Sequence, residues 1–315
     1  MNDLMPIMDQ QPRLFDPSEY SPEKNISTEP FIRQMDHPVW TDNKAHFIML
    51  YLKYFVYITK HGTYIDGFAG PQEGRSCDSW AAKLVIESEP KWMRHFHLCD
   101  QNRTQFRLLK QLKESQPPCA IARNVEIYHG DFNSKVDEIL ASGDITEKEA
   151  TFCLLDQRTF ECHWQTVEKI AAFKTAGNKI ELFYFLANNW LERAFHAQKD
   201  LEVLTAWWGR DDWTNLRSMS RDVRRDLLID RFKRDLGYRS VKSWPIYERK
   251  KGGAIMFYMI HATDHPEAPN LMSRAYCNTV SSFEPIEQLE LGLFPVAKSA
   301  EIAVEIAEPK LKRFS

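Results

Sequence analysis

The sequence carries no paired cysteines. Its six (Cys77, Cys99, Cys119, Cys153, Cys162 and Cys277) form no C-x-x-C unit and keep no regular spacing, so neither a zinc site nor a disulfide framework is expected. A reducing compartment follows, with the cytoplasm as the expected location. No charge of one sign dominates either: 41 Lys and Arg stand against 44 Asp and Glu, a net charge of -3, which argues against a chain held to nucleic acid by a general electrostatic field. Only a local basic face would serve that purpose. Long apolar runs are missing, since no segment approaches the roughly 18 uncharged apolar residues of a membrane span, and the first thirty residues lack a basic stretch followed by an apolar one. No membrane partner is expected. The dinucleotide pattern G-x-G-x-x-G is absent too, which disfavours a pyrophosphate cradle and leaves room for a cofactor without phosphates.

What is present is an alternation of short apolar strands and amphipathic helices. Residues 1–39, with Pro6, Pro12, Pro17, Pro22 and Pro30 among polar neighbours, bury little and read as extended or disordered. From Thr41 a helix is predicted, with Phe47, Leu50, Tyr51, Tyr54 and Ile58 on one face and Lys44 and His46 at its start. Strands are then predicted at Thr63–Asp66, Arg94–Asp100, Val125–His129, Thr151–Asp156 and Lys179–Leu186, separated by helices at Ser79–Ser88, Arg103–Ser115, Ser134–Ala141 and Trp164–Lys174. Such alternation implies βαβ units, hence an α/β, doubly wound, Rossmann-like domain over residues 40–190. Residues 191–237 turn charged and helical, with Trp207, Trp208 and Trp213, and read as an inserted helical subdomain. Its Arg-rich run, 217–234, is best taken as a solvated face with i,i+4 pairs to Asp222, Asp226 and Asp230. Residues 238–280 supply two further strands, Val241–Arg249 and Ala254–Ala262, around a turn at Lys250-Lys251-Gly252-Gly253, then a helix over Pro266–Cys277. A tail, 281–315, closes the chain.

The candidate site is a row of acids at strand ends. Asp66-Gly67-Phe68-Ala69-Gly70-Pro71 ends the first strand with a carboxylate and two glycines, where an open α/β sheet binds its ligands. Asp100 ends the second strand, placed to accept from ribose hydroxyls. After the third, Gly130-Asp131-Phe132 offers a carboxylate either to an adenine amino group or to a helix N-terminus, and both readings stand. The fourth ends in Asp156-Gln157, followed by Phe160. Amino-methylating enzymes hold their target nitrogen at that edge, with a proline where Gln157 stands. Asp156 is the candidate for positioning that nitrogen, Phe160 or Trp164 for stacking, and Asn188 and Asn189 are alternatives at the fifth strand's end. A metal-dependent nuclease using Asp66, Asp131 and Asp156 is disfavoured, because no histidine accompanies them.

These residues together resemble the three-Cys-motif partner protein family, TcmP. The resemblance rests on Tyr64-Ile65-Asp66-Gly67-Phe68-Ala69-Gly70-Pro71, Ser79, Asp100, Gly130-Asp131-Phe132-Asn133, Leu155-Asp156, Trp164, Trp208-Gly209, Trp213, Tyr238 and the run Phe257–Pro266, so it covers about residues 40–280. It implies a seven-stranded methyltransferase-type sheet with an antiparallel last strand, S-adenosylmethionine as cofactor, and a three-Cys-motif partner resembling radical-SAM enzymes. Methyl transfer to an amino group, on nucleic acid or on a partner, is the activity implied. Gln72 and Gln157 depart from the family pattern, and they motivate a second expectation: a cofactor-binding or regulatory module serving that partner in antiviral, phage-defence or mobile-element function.

Overall fold

The computed structural model describes residues 43–71, 79–197, 201–249 and 252–281. The expected N-terminal segment and tail, Gln72, and the turn residues Lys250 and Lys251 lie outside them. In chain order the elements are α1 (Lys44–Thr59), β1 (Gly62–Asp66), α2 (Ala81–Glu87), β2 (Met93–Asp100), α3 (Arg103–Glu114), β3 (Asn124–His129), α4 (Phe132–Leu140), β4 (Thr151–Leu155), α5 (Trp164–Ala172), β5 (Glu181–Leu186), α6 (Asn188–Ala197), α7 (Leu201–Trp208), a 3-10 helix (Asp211–Ser218), α8 (Arg221–Arg234), β6 (Ser240–Arg249), β7 (Gly252–Thr263) and α9 (Ala268–Ser281).

The seven strands make one mixed sheet in the order β3-β2-β1-β4-β5-β7-β6. β1 to β5 pair in parallel, while β7 runs antiparallel to both β5 and β6. Strand order reverses between β1 and β4, whose ladder runs from Thr63 opposite Thr151 to Asp66 opposite Leu154. β1, β4 and β5 are buried along their whole length, as strands covered by helices on both faces must be, whereas β3 forms the edge and is partly exposed. The fold is therefore the α/β, Rossmann-like arrangement expected from the alternation.

Local chemistry fixes the element ends. Asn102 caps α3 by accepting from the Thr104 and Gln105 amides at 2.8 and 3.2 Å, and Asp131 caps α4 by accepting from the Asn133 amide at 3.1 Å. This cap starts α4 at Phe132, two residues before the predicted Ser134. α1 is buried on nearly every side from Lys44 to Val56, with Phe47 packed edge-on against Phe183 and Tyr276 at ring-centre distances of 5.5 and 5.3 Å. A helix apolar all round belongs inside, and its N-terminus delivers Lys44 to the sheet's carboxyl edge.

The helices over 188–234 share the core of the sheet. Trp207, Trp208, Trp213, Leu228 and Phe232 belong to one continuous apolar cluster with β1, β4 and β5. The solvated-face expectation for the Arg-rich run holds only in part. Arg234 pairs with Asp230 one turn back on the exposed face, but Arg224 and Arg231 are buried. The Arg231 guanidinium lies 3.7 Å from the Trp164 ring centre and 4.3 Å from that of Trp208, and donates to the Trp208 carbonyl at 2.6 Å. A delocalised cation loses less on desolvation when aromatic faces and a carbonyl receive it, so arginine fills this place as part of the packing.

Candidate functional site

The loop after β1 is tied to both neighbouring strands. The Gly67 amide donates to the Leu154 carbonyl at 3.1 Å, the Ala69 amide to the Cys99 carbonyl at 2.9 Å, and the Gly70 amide to Asp100 Oδ2 at 2.9 Å. Trp80 Nε1 donates to the Ala69 carbonyl at 2.6 Å, closing the loop from outside. Both glycines serve close approach within the protein. A Cβ on Gly70 would stand 2.4 Å from Gln105 Cβ and 2.5 Å from Asp100 Oδ2, and one on Gly67 would meet the Phe132 ring at 2.9 Å.

This loop walls a cavity of about 380 Å³ at the carboxyl edge, where strand order reverses. Asp66 borders it from the end of β1, Phe68, Ala69, Gly70 and Pro71 from the loop that follows, Asp100 from the end of β2 and Lys44 from α1, with Asp156, Arg158 and Glu161 from the loop after β4. Of the residues expected at the site, Gly67, Asp131, Phe132, Gln157 and Phe160 do not border it. Phe132 is buried beneath Phe68, at a ring-centre distance of 6.0 Å. Phe160 packs edge-on against Trp207 at 5.1 Å, and Trp164 is buried against Phe232 and Arg231. Gln157 is a buried strap: its Nε2 donates to the Phe185 carbonyl at 3.1 Å and its Oε1 accepts from the Cys162 amide at 2.7 Å. Asn188 donates to the Arg221 carbonyl at 2.6 Å and Asn189 to the Ile255 carbonyl at 2.9 Å, so both amides brace the helices.

Carboxylates outnumber cations around the cavity. Asp66 is 2 % exposed; it accepts from the Tyr64 hydroxyl at 2.8 Å and from the Phe68 amide at 3.1 Å. Burial outweighs those two bonds, and with the nearby Asp156 and Asp100 it pushes the Asp66 carboxyl up to about 7. Asp100 takes one amide on each oxygen, Gly70 on Oδ2 and Asn102 on Oδ1 at 2.8 Å, which leaves lone pairs on both for further donors. Asp156 is chelated by Lys44, whose Nζ lies 2.6 and 2.5 Å from its two oxygens. Beside the Arg158 guanidinium the cavity thus offers mainly acceptors, one of them an internally neutralised carboxylate. It suits a ligand with hydroxyl donors and positive charge.

Lys44, Arg158 and Glu161 were not legible as site residues. Lys44 did carry a signal: it shares the helix face of Phe47 and Tyr51, at i, i+3 and i+7, so an ammonium was bound to enter the interior there. Among the described residues no group of three His, Cys, Asp or Glu side chains is arranged for a metal ion, and no helix is long and apolar enough to cross a membrane. Set against known proteins, the chain matches no family model and no curated protein.

Proposed function

We propose that the chain is an S-adenosylmethionine-dependent methyltransferase-like protein of the TcmP kind, acting on an amino group of nucleic acid or of a partner. The observation that carries this reading is the acid-lined cavity between the carboxyl ends of β1 and β4, with Asp100 at the end of β2. A sheet of order 3-2-1-4-5-7-6 with β7 reversed supports it. The residues fit the cofactor chemically: a cavity of about 380 Å³ falls within the ordinary range for small-molecule sites, and its excess of carboxylates favours a cationic sulfonium and ammonium. Asp100 would accept from the ribose hydroxyls, and the Phe68–Pro71 loop would carry the rest. Bound there, S-adenosylmethionine would supply an electrophilic methyl group. The chain's own part is orientation and exclusion of water, and Asp156 is the group that would accept from an incoming nitrogen.

Titration calorimetry with S-adenosylhomocysteine tests the reading. Binding in the micromolar range is expected, about -8 kcal/mol, and Asp100→Ala should cost about 1.5–3 kcal/mol, because bonds to a charged acceptor are worth that much. No heat and no thermal shift with either form of the cofactor at millimolar concentration would sink it.

A second reading has its own support. Gln157 and Phe160 are turned into the core and Asp156 is already paired, which is what a cofactor-binding module would show, one serving a three-Cys-motif protein in phage defence. Radiolabelled methyl transfer separates the two. An enzyme should lose transfer in the double variant Lys44→Ala/Asp156→Asn, which strands neither charge, while still binding the cofactor, whereas a module transfers nothing in either form.

A further inference from the structure

Lys44 is 4 % exposed, yet it stands on the cavity wall. Besides the two Asp156 oxygens, its Nζ faces Phe185 and Phe257, at 5.7 and 5.1 Å from their ring centres. Those rings are 4.5 Å apart and inclined at 50°. A chelating carboxylate on one side and two aromatic faces on the other make a receptor for a compact cation: the carboxylate supplies charge and hydrogen bonds, and the rings attract the remaining positive surface. The inclination matters for the choice of ligand. A nucleobase amino group is neutral and sits on a flat ring, which calls for a slot between parallel faces. An alkylammonium needs no slot. Stability alone does not account for the arrangement either, because an apolar pair of similar volume commonly holds a fold as well as a buried ion pair does.

We propose that Asp156 on the cavity wall, with Phe185 and Phe257 behind Lys44 and not themselves bordering the cavity, forms an alkylammonium subsite that opens off it, filled by Lys44 in the free protein and taken over by an aliphatic amine of the ligand, such as a lysine side chain of a protein partner. The exchange requires rotation about the single bonds of the Lys44 stem, which swaps one ammonium for another and leaves Asp156 paired throughout. This deepens the reading of the same cavity by naming the acceptor as an aliphatic amine.

The test removes the internal occupant. Lys44→Ala in the full chain leaves the carboxylate and both rings beside a hole shaped for a butyl chain with a terminal ammonium. Thermal melts of the wild type and the variant are compared in n-butylammonium chloride, with butanol as the neutral control at matched ionic strength. The variant should show a saturable rise in Tm of about 3–6 °C, and the wild type, whose own lysine competes, less than about 1 °C. No rise in the variant, an equal rise in the wild type, or an equal rise with butanol overturns the proposal. Lys44→Ala leaves the partly buried Asp156 without its cation, so a variant that does not fold is refolded from urea with and without the amine. Recovery of folded protein with the amine alone supports the proposal, and none overturns it. The double variant Lys44→Ala/Asp156→Asn should fold without amine and lose the response; a retained response overturns it. None of these melts contains S-adenosylmethionine, so their outcome and that of the cofactor titration are independent.

Discussion

Asp66 is a carboxyl whose proton is present over part of the neutral range, because burial beneath the cavity and the nearby Asp156 and Asp100 raise it from 3.8 to about 7. The sign of the consequence follows from linkage. Between pH 4 and 7 the folded state holds a proton that the unfolded state has released, so this residue's contribution to stability is greatest below about pH 4 and is lost as pH rises through 7. A shift of that size corresponds to a few kcal/mol on the order of 4. Asp66→Asn keeps one acceptor for the Phe68 amide and removes the titration. Urea melts between pH 4 and 8 should show the variant's stability falling less steeply with pH than the wild type's; parallel curves would refute the assignment. The same carboxyl should make a cationic ligand bind more tightly as pH rises through 7, since the cation favours the ionised form. At Gly70 the demand is steric. Gly70→Ala drives a Cβ into Gln105 and Asp100, and it should cost more than the few tenths of a kcal/mol typical of a surface change while disturbing the β2 end of the cavity.

Between elements, Gln157 is the residue to test. It ties the loop after β4 to the end of β5 with two buried hydrogen bonds, holding Arg158 and Glu161 against the cavity. Gln157→Ala leaves the Cys162 amide and the Phe185 carbonyl without their partner, a loss of about 1–3 kcal/mol for each group so stranded. Amide exchange at Cys162 should accelerate by two orders of magnitude or more while β1 and β2 stay protected; unchanged exchange would show that the loop is held by other contacts. This strap also marks where sequence reasoning ends. The strands were legible because short segments rich in apolar residues alternate with amphipathic helices and close on polar residues; helix starts were less exact, at Thr41 against Lys44, Ser79 against Ala81, Ser134 against Phe132 and Pro266 against Ala268, and only the third was displaced by a cap, Asp131, read as a ligand group. Acids at Asp66, Asp100 and Asp156 were legible from the same strand ends. Gln157 was not, since an amide bridging two strand ends looks the same in sequence as one facing a substrate. Lys44 was harder, because its partner lies 112 residues away. Arg231 escaped for a like reason: an i,i+4 charge pattern does not reveal that two tryptophans from other segments flank the helix.

At the scale of the molecule, the helices over 188–234 and the sheet share one apolar core, so they should not unfold apart. Trp190, Trp207, Trp208 and Trp213 lie in the helices, while Trp80, Trp92, Trp164 and Trp244 lie with the sheet, so in a variant that keeps only the helix tryptophans the fluorescence reports on the helices and the far-ultraviolet signal on the whole, and the two should give coincident urea transitions. Fluorescence that moves first would separate the helical segment as its own unit. The place of β7 bears on how the chain is made. Because β7 sits between β5 and β6, the buried edge of β5 gains its partner only when Gly252–Thr263 has been synthesised. At about 5–20 residues per second, the stretch from Leu186 to Gly252 keeps that apolar edge unpaired for several seconds on the ribosome. Chains stopped short of Thr263, by truncation or by nonsense mutation, will carry an open strand edge into the cell and become substrates for chaperones and proteases.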